Sequence, residues 1–529
     1  MKKQILFVAL LMAFFAGATA KEVTGKVHCN KKGMKDVVVT DGTNFTTTDQ
    51  NGIYKLDAVD NADFIHIVTP SGYVASYASG TPRFYHTLSE KSLDFELFEF
   101  SAPQGAYTDQ NGIYKLDAVD NADFIHIVTP SGYVASYASG TPRFYHTLSE
   151  KSLDFELFEF SAPQGAYTLF AIGDTQPGSD QAYARLETEA FPELKSYGNE
   201  YINKGMPVAA IMLGDMIWDN PETYGRYKED LKQLGYPVYP VIGNHDHTEI
   251  YNDNHQSEQV YRLYFGPTYY AFNMGCDYYI VLDNIFYTGL RQYDEMLTAG
   301  QLEWVKQYTR YIPKGAHVFV AMHAPAKMYT SDHYLKGAEE LMDLLRDYQV
   351  SILSGHSHIH SNLLLRPNVR EHMVASIGGA WWLWNSRYCM DGTPMGYQVF
   401  ESTPRGLTWH FKTLGMPADY QMKVFPIGTF ADRLAEVCVK VWNWDETWKV
   451  EWKEDGKLKG SMTQFSAIDP DYKGYINREY AQGAKKLTWR FPVENPFIFF
   501  SAKPSPKAQE MEIIVTDHFG RQYIQKVRL

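Results

Sequence analysis

The sequence predicts a chain of several domains, α/β in the centre and all-β on either side. Between residues 169 and 415, apolar strand-like runs alternate with helix-like stretches, which is typical of an α/β domain. Short alternating runs bounded by turn residues come before this region, and strand-like runs return from residue 425 to 529. A chain of 529 residues is also too long for one hydrophobic core.

The first twenty residues, MKKQILFVALLMAFFAGATA, combine a basic start, a short apolar run and small residues at the end. This pattern predicts a secretory signal peptide over residues 1–20. The alternative is a membrane anchor, but the apolar run is short for a bilayer. No later stretch is long and apolar enough to span one, so we expect an exported protein, periplasmic or extracellular, without a transmembrane anchor.

Charge and cysteine content argue against two classes of protein. The formal net charge is −13 and the chain has no basic block, so a nucleic-acid groove is not expected. The four cysteines are widely spaced and form no CxxC pair, which argues against a zinc knuckle.

The N-terminal region contains an internal repeat. Residues 48–108 are identical to residues 108–168. Perfect identity fits a recent duplication or an error in assembling the sequence better than a functional array, which needs at least three units. We predict a β-sandwich over residues 21–168 in which both copies compete for one partner, Glu22–Thr48. One copy should pack natively, and the other should be loosely held or form a partial second sandwich.

In the central region, five strand-like runs are each followed by residues that can bind a metal. They are Asp174-Thr175-Gln176, Asp215, Asn244-His245-Asp246-His247, His323 and His356-Ser357-His358. Any one of them could be a turn or cap residue. Open α/β sheets place their sites beyond the carboxyl ends of the strands, so five together indicate one site. Mixed imidazole and oxygen ligands suit Mn, Zn or Fe, and two divalent ions can clamp a phosphoryl group.

Residues 169–415 resemble the calcineurin-like metallophosphoesterase superfamily. The motifs that carry the resemblance are GDTQ, GD, GNHD, the lone His323 and GHSH. The whole chain resembles the exported bacterial type, whose N-terminal carboxypeptidase-regulatory-like sandwich is indicated by VTGKVHC, GMKDVVVTDG and TTDQNGIYKL. The resemblance implies a central α/β/β/α sandwich flanked by N- and C-terminal β-sandwich domains.

The resemblance also implies a site for two divalent metal ions. Asp174, Gln176, Asp215 and His358 would bind one ion, and Asp215, Asn244, His323 and His356 the other. His245 would be the catalytic acid, oriented by Asp246. His360 is interpreted as a surface or supporting residue, while His247 could touch substrate or cap its loop. Asp219 could hydrogen-bond near the metals or cap a helix.

Gln176 departs from the family pattern, in which histidine is commoner at this position. An amide oxygen is a harder and weaker ligand than imidazole, so we expect Mn-like rather than Zn-like occupancy of the first position.

The stretch WWLWNSR supplies candidate substrate contacts, Trp381, Trp382 and Arg387. The tryptophans could stack a sugar, base or lipid group, or pack the loop against the next domain. The implied activity is hydrolysis of phosphate esters by a hydroxide that bridges the metals. The substrate would be a small phosphate ester, a phospholipid or a sugar phosphate, with phosphodiesters favoured. The alternatives are a phosphomonoesterase and a non-catalytic binding module with a vestigial phosphoesterase domain.

Overall fold

The computed structural model describes residues 21–529 apart from short gaps. The gaps are residues 30, 42, 60–61, 63, 69–72, 76, 79–80, 83–84, 100–107, 109–111, 117–121, 161–164, 290, 329, 332 and 482–489. The predicted signal peptide, residues 1–20, lies outside the described residues. The chain divides into two compact units, residues 1–120 and 121–529.

The first unit is a β-sandwich made by residues 21–47 and the first copy of the repeat. Its strands are β1 (Lys21–Cys29), β2 (Lys32–Gly33), β3 (Val38–Thr40), β4 (Phe45–Thr47), β5 (Ile53–Ala58), β6 (Phe64–Val68), β7 (Tyr73–Ala75), β8 (Tyr77–Ala78), β9 (Thr81–Pro82), β10 (Tyr85–Thr87) and β11 (Phe95–Glu99). One sheet has the order β2-β1-β11-β7 with β5 also on β1, and the other has the order β10-β6-β3-β4. Inward-facing side chains such as Val27, Val39 and Leu97 are fully buried between them.

The second copy takes a different arrangement. It contains β12 (Phe124–His126), β13 (Tyr133–Ala135), β14 (Tyr145–Thr147) and β15 (Leu157–Glu159), which form two two-stranded sheets. Ala135, Phe144 and Tyr145 are buried in the same hydrophobic cluster as the strands of the central domain. The second copy thus forms strand pairs that pack on the central domain, a contact that the sequence did not predict.

The central domain follows directly. Its strands are β16 (Tyr167–Ile172), β17 (Val208–Met212), β18 (Val238–Pro240), β19 (Tyr270–Met274), β20 (Asp277–Val281), β21 (Ile285–Gly289), β22 (Gln292–Glu295), β23 (His317–Ala321), β24 (Gln349–Ser354), β25 (Ser361–Arg366), β26 (Val369–Met373), β27 (Gly396–Thr403) and β28 (Gly406–Thr413). Its helices are α1 (Asp180–Arg185), α2 (Phe191–Ile202), α3 (Tyr224–Lys232), α4 (Asn254–Ser257), α5 (Gln259–Phe265), α6 (Ala299–Tyr308) and α7 (Ala338–Leu344). A π-helical turn, Leu186–Ala190, joins α1 to α2.

Two mixed sheets form the middle of this domain, in the orders β18-β17-β16-β27-β28 and β19-β20-β23-β24-β26-β25. One cluster lies between the sheets and includes Leu169 and Phe319. Phe170, on the other face of β16, packs with residues of α1, α2 and α3. Val318 of the second sheet packs with residues of α6 and α7. The predicted α/β/β/α architecture is confirmed, and burial on both faces explains why these strands are apolar without alternation.

The C-terminal region is a second β-sandwich. Its elements are β29 (Lys423–Phe425), β30 (Val437–Lys440), β31 (Lys449–Glu454), β32 (Lys457–Ser461), β33 (Thr463–Ile468), α8 (Pro470–Ala481), β34 (Glu494–Ala502), β35 (Glu510–Thr516) and β36 (Gln522–Arg528). The sheets β29-β30-β34-β33 and β32-β31-β35-β36 enclose a core that includes Trp448 and Trp452. Among all described residues, no helix has the length and apolarity needed to cross a membrane.

Candidate active site

The predicted metal-binding residues meet at one edge of the central domain. Asp174 follows β16, Asp215 follows β17, and Asn244 follows β18 in the first sheet. His323 follows β23 and His356 follows β24 in the second sheet. Parallel pairing of β16 with β17 and of β23 with β24 puts their carboxyl ends side by side, which is why residues far apart in sequence converge.

One group of ligands forms around Asp174. The Asp174 carboxylate accepts hydrogen bonds from the backbone N–H of His356, at 3.0 and 3.1 Å. His358 Nε2 lies 3.5 Å from Asp174 Oδ1, while its Nδ1 faces the carbonyl of Gly379 at 3.2 Å. That second contact fixes the ring so that Nε2 points toward the carboxylate.

A second group forms around Asp215, His323 and His356, whose possible ligand atoms all lie within 4.8 Å of one another. His323 Nδ1 bonds the carbonyl of Leu213 at 2.7 Å, so its Nε2 faces the site. There Nε2 lies 3.0 Å from Asn244 Oδ1, 3.3 Å from Asp215 Oδ1 and 3.1 Å from His356 Nδ1.

Gln176 contacts Asp215 of the second group and stands two residues from Asp174 of the first. Its Nε2 donates to Asp215 Oδ2 at 3.0 Å, and its Oε1 is buried with no hydrogen-bond partner. An unpaired buried carbonyl oxygen is costly, and a cation would satisfy it. The residues present therefore fit the implied metal ions.

The electrostatics of the site are also consistent with cation binding. Burial raises the pKa of Asp174 to about 8. Burial alone would lower the pKa of His323, but the Asp215 carboxylate and its hydrogen bond raise it to about 10. A divalent cation that binds such groups must displace their protons, so metal binding here is coupled to proton release.

The structure corrects the expected partner of His245. Its Nδ1 bonds Asp219 Oδ1 at 2.8 Å, and Asp219 in turn pairs with Arg291 at 3.2 Å. Burial lowers the pKa of His245, but the carboxylates of Asp215 and Asp219 outweigh this and raise it. Asp219 therefore takes the orienting contact that was expected of Asp246.

Asp246 instead holds the loop. Its carboxylate accepts from the backbone N–H of Gly243 at 2.8 Å and of Met216 at 3.2 Å, and from the hydroxyl of Tyr224 at 2.9 Å. It is buried beneath the loop that carries His245. Asp246 thus stabilises the backbone on which Asn244 and His245 stand.

Glu295 is a further residue of the site that the sequence did not single out. Its Oε1 lies 3.2 Å from His356 Nε2, opposite the nitrogen that faces His323. Such a carboxylate fixes the tautomer and the direction of a metal-binding histidine. No sequence signal marks it, because it sits in the β21–β22 hairpin and reaches the site only through the fold.

The remaining predicted residues fall in different places. Trp381 stacks on the ring of His358, with centroids 4.0 Å apart. Trp382 is buried and donates from Nε1 to the carbonyl of Thr175 at 2.6 Å, so it stabilises the loop Asp174-Thr175-Gln176. Arg387 is ion-paired with Glu189 at 2.9 Å, and its expected contact with phosphate stays a prediction.

The two unassigned histidines are structural. His247 is buried and bonds Ser257 at 2.8 Å, and burial lowers its pKa to about 3. His360 is not a surface residue, since it is fully buried and bonds Asn443 at 2.9 Å.

Residues with strained backbone conformations cluster in the same region, which is evidence for a site that does not depend on side-chain chemistry. Of thirteen described non-glycine residues with positive φ, ten lie at or beside the site. They are Asp174, Gln176, Asp215, Asp219, Arg291, His356, His358, Trp381, Trp382 and Trp384. Each such conformation costs free energy and persists only where the surrounding structure enforces it. Close packing also explains two motif glycines, because a Cβ at Gly243 would lie 2.3 Å from the Asp215 backbone nitrogen and one at Gly355 2.6 Å from Asp174 Oδ2.

Three family models match the chain. Calcineurin-like phosphoesterase matches residues 167–360. The C-terminal region of calcineurin-like phosphoesterase matches residues 371–523, and the N-terminal region matches twice, at residues 21–104 and 101–162. The chain belongs to the calcineurin-like phosphoesterases. This metallophosphoesterase is thus a metal-dependent hydrolase of phosphate esters with N- and C-terminal extension domains.

Solved structures similar to this phosphoesterase share little sequence with it. A dimetal phosphatase from Danio rerio is 14% identical, with 47% of this chain and 96% of that chain covered and a TM-score of 0.33. A purple acid phosphatase from seeds of yellow lupin, Lupinus luteus, is 11% identical, with 75% and 92% covered and a TM-score of 0.35. A 5′-nucleotidase from Candida albicans is 11% identical, with 47% and 52% covered and a TM-score of 0.30. No curated protein matches the chain significantly.

Proposed function

We propose that this phosphoesterase hydrolyses phosphodiesters with two divalent metal ions. Asp174, Gln176, Asp215 and His358 would hold one ion, and Asp215, Asn244, His323 and His356 the other. The observation that carries the proposal is the position of Asp215, whose two carboxylate oxygens face different groups. Oδ2 accepts from Gln176, and Oδ1 lies 3.3 Å from His323 Nε2.

When bound, two divalent ions supply a nucleophile at neutral pH and neutralise the charge on the phosphoryl group. The chain's own residues supply the rest. Despite burial, the carboxylates of Asp215 and Asp219 raise the pKa of His245, which favours the doubly protonated ring. Asp219 holds Nδ1–H, which leaves Nε2–H to donate to the departing ester oxygen.

The preference for diesters rests on the charges around the site. Arg291 is a cation linked to His245 through Asp219, and it is ion-paired with both Asp219 and Glu249. A monoester presents a terminal dianionic phosphate, which requires more cationic groups than a diester monoanion. Because the charge of Arg291 is already paired with two carboxylates, the site favours the diester monoanion over the monoester dianion.

The place of action is proposed from the N-terminal segment. Its basic start, apolar run and small-residue end support export to the periplasm or the extracellular space. The natural substrate would then be a phosphate ester outside the cytoplasm.

Hydrolysis of bis-p-nitrophenyl phosphate and of p-nitrophenyl phosphate tests the proposal directly. The mature protein is stripped of metal and refilled with Mn, Zn, Fe or Mg, with His356→Ala as the test variant. His333→Ala is the matched control because His333 is exposed. We expect metal-dependent turnover that favours the diester and is lost in His356→Ala alone. A preference for the monoester would overturn the substrate class, and a protein that binds no metal would overturn the site.

The metal preference has its own test in Gln176→His. Replacing the amide by imidazole should shift bound metal from Mn toward Zn, because imidazole is the softer ligand. Metal content of parent and variant, measured after refilling from an equimolar mixture, checks this. An unchanged metal ratio would contradict it.

A further inference from the structure

A cavity of about 340 Å³ lies beside the metal-binding residues. Its main lining residues are Trp218, Trp381 and Arg490, and Ser179, Gln181 and Trp382 are among the others. The three main residues come from separate parts of the chain. Trp218 follows β17, Trp381 follows β26, and Arg490 lies between α8 and β34 of the C-terminal domain. The cavity is therefore a product of tertiary structure.

The cavity lies next to a predicted metal ligand and next to the predicted proton donor. The Trp381 ring stacks on His358 at 4.0 Å, and the Trp218 ring centroid lies 5.4 Å from that of His245. A predicted metal ligand and the predicted proton donor thus border the two aromatic walls. A substrate with its phosphorus at the metal ligands has one ester substituent within reach of this cavity.

The walls combine flat apolar surfaces with one cation. The Arg490 guanidinium lies 6.0 Å from the Trp218 ring centroid and 5.9 Å from that of Trp381. Burial lowers the pKa of Arg490, so its charge is partly desolvated. Charge attraction is stronger in such surroundings than in water, and guanidinium geometry matches phosphate and carboxylate oxygens.

The aromatic walls are held in place before any ligand arrives. Trp381 and Trp382 both have positive φ, at 53° and 55°. Trp382 anchors the loop through its bond to the Thr175 carbonyl, which keeps the neighbouring Trp381 against His358. Strain kept at such a position points to function. The cavity volume is at the lower end of the range of about 300–1,000 Å³ for small-molecule sites, enough for one ring system.

We propose that this cavity binds the part of the substrate beyond the scissile phosphate, and that it selects a ring carrying a second negative charge. The ring would lie against Trp218 and Trp381, and Arg490 would bind the second anionic group. The inference rests on the proposed function, because it assumes that the scissile phosphate lies at the metal ligands. Nucleotides and phosphorylated sugars share this chemistry.

Inhibition of bis-p-nitrophenyl phosphate hydrolysis by three probes tests the proposal. The probes are ADP, with a base and two phosphoryl groups, glucose 1,6-bisphosphate, with a sugar and two phosphoryl groups, and inorganic phosphate. We expect Arg490→Gln to raise the inhibition constant of one or both organic probes about ten- to a hundredfold more than that of phosphate. Arg226→Gln is the matched control, since it removes the same charge from an exposed pair with Glu187.

The Trp218→Leu variant distinguishes a nucleobase from a sugar as the ring that the cavity binds. A larger loss of affinity for ADP than for the bisphosphate assigns a nucleobase, and an equal loss assigns a sugar. A parent protein that neither organic probe inhibits more strongly than phosphate would overturn the proposal. So would an Arg490→Gln variant in which all three inhibition constants change equally.

Calorimetric measurement of binding tests this inference without relying on the proposed activity. If the parent does not hydrolyse the diester, the proposed function fails, but titration of parent and Arg490→Gln with ADP and the bisphosphate still decides the inference. Binding that weakens in Arg490→Gln supports the cavity. Absence of binding to the parent overturns it.

Discussion

The two copies of the repeat have one sequence and two structures. In the first copy, β6 pairs with β3 and β11 pairs with β1, so both are built into a sandwich. In the second copy, the equivalent strands β12 and β15 belong to two-stranded sheets. Residues 113–116, equivalent to part of β5, form no strand. Identical residues thus differ in the sheets that they join.

The contacts that the two copies share join residues that are close together in the sequence. Phe64 pairs with Thr87 and Phe124 with Thr147, and each hairpin keeps the same register. His86 bonds Glu90 at 2.6 Å, and His146 bonds Glu150 at 2.7 Å. The pairs β7–β11 and β13–β15 also share their register. Short-range pairing follows the sequence, while long-range pairing follows the available partner.

The copies differ in the surroundings of one face of the same strand. Ile65 of β6 and its equivalent Ile125 of β12 are both buried, whereas Phe64 is 47% exposed. In β12, the ring of Phe124, equivalent to Phe64, packs edge-on against Tyr145 and under the Arg262 guanidinium. Because strand side chains alternate between faces, the phenylalanine face gains contacts in the second copy while the isoleucine face is buried in both.

Deleting one copy should change the molecule most. Removal of residues 48–107 or of residues 108–167 leaves the same chain, in which one copy is available to β1 and to the central domain. We expect the separate unfolding transition of the first unit to disappear from calorimetry, with metal-dependent turnover retained. Two transitions in the shortened chain, or failure to fold, would contradict the idea that one copy fills both roles.

Phe95→Ala and Phe155→Ala form a matched pair with different expected costs. Phe95 is 1% exposed in the sandwich core, whereas the equivalent Phe155 is only partly buried. Truncating a core phenylalanine costs about 3–5 kcal/mol, so Phe95→Ala should strongly destabilise the first unit. Urea unfolding of both variants measures the difference. Equal losses of unfolding free energy would show that both copies share one environment.

For Phe124→Ala and Phe64→Ala, we expect the larger loss of stability in the second copy, with a smaller difference between the two variants. Phe124 contacts Tyr145 and Arg262, and such ring contacts contribute about 0.5–1.5 kcal/mol beyond area burial. The melting temperature of the second unit should fall in Phe124→Ala and stay unchanged in Phe64→Ala. A larger effect of Phe64→Ala on that unit would be inconsistent with the seating of the second copy.

The turn contacts should give a small effect in both copies, larger in the second. The hydrogen bond from His146 lowers the pKa of Glu150 to about 2, and the equivalent bond from His86 lowers that of Glu90. Arg143 also pairs with Glu150, at 2.7 Å. A lowered carboxyl pKa stabilises the fold above the usual value of 4.5 and ceases to do so as pH falls toward 2. Glu90→Gln and Glu150→Gln should therefore both flatten the acid side of the melting-temperature profile, and Glu150→Gln should do so more. A larger effect of Glu90→Gln would contradict this reading of the two turns.

Much of the fold and site was accessible from sequence because the signals are local. The apolar runs of β16, β17, β23 and β24 predict buried strands, and the polar residues after them predict the edge where a site forms. Glu295 and Arg490 were not placed, because each reaches the site from a segment whose own pattern is ordinary. Asp219 was left between two roles, and Asp246 was assigned the contact with His245 that the structure gives to Asp219, since spacing along a loop does not determine where a side chain points.

The sequence by itself determined the strand register of each hairpin, the buried strands of the central domain and the candidate metal-binding residues at their ends. These follow from side-chain periodicity and turn chemistry, which act over a few residues. Only the tertiary structure decided which copy of the repeat completed the sandwich, which carboxylate held His245 and which arginine faced the cavity. Those choices depend on surfaces brought together from distant parts of the chain, and two identical segments cannot encode them differently.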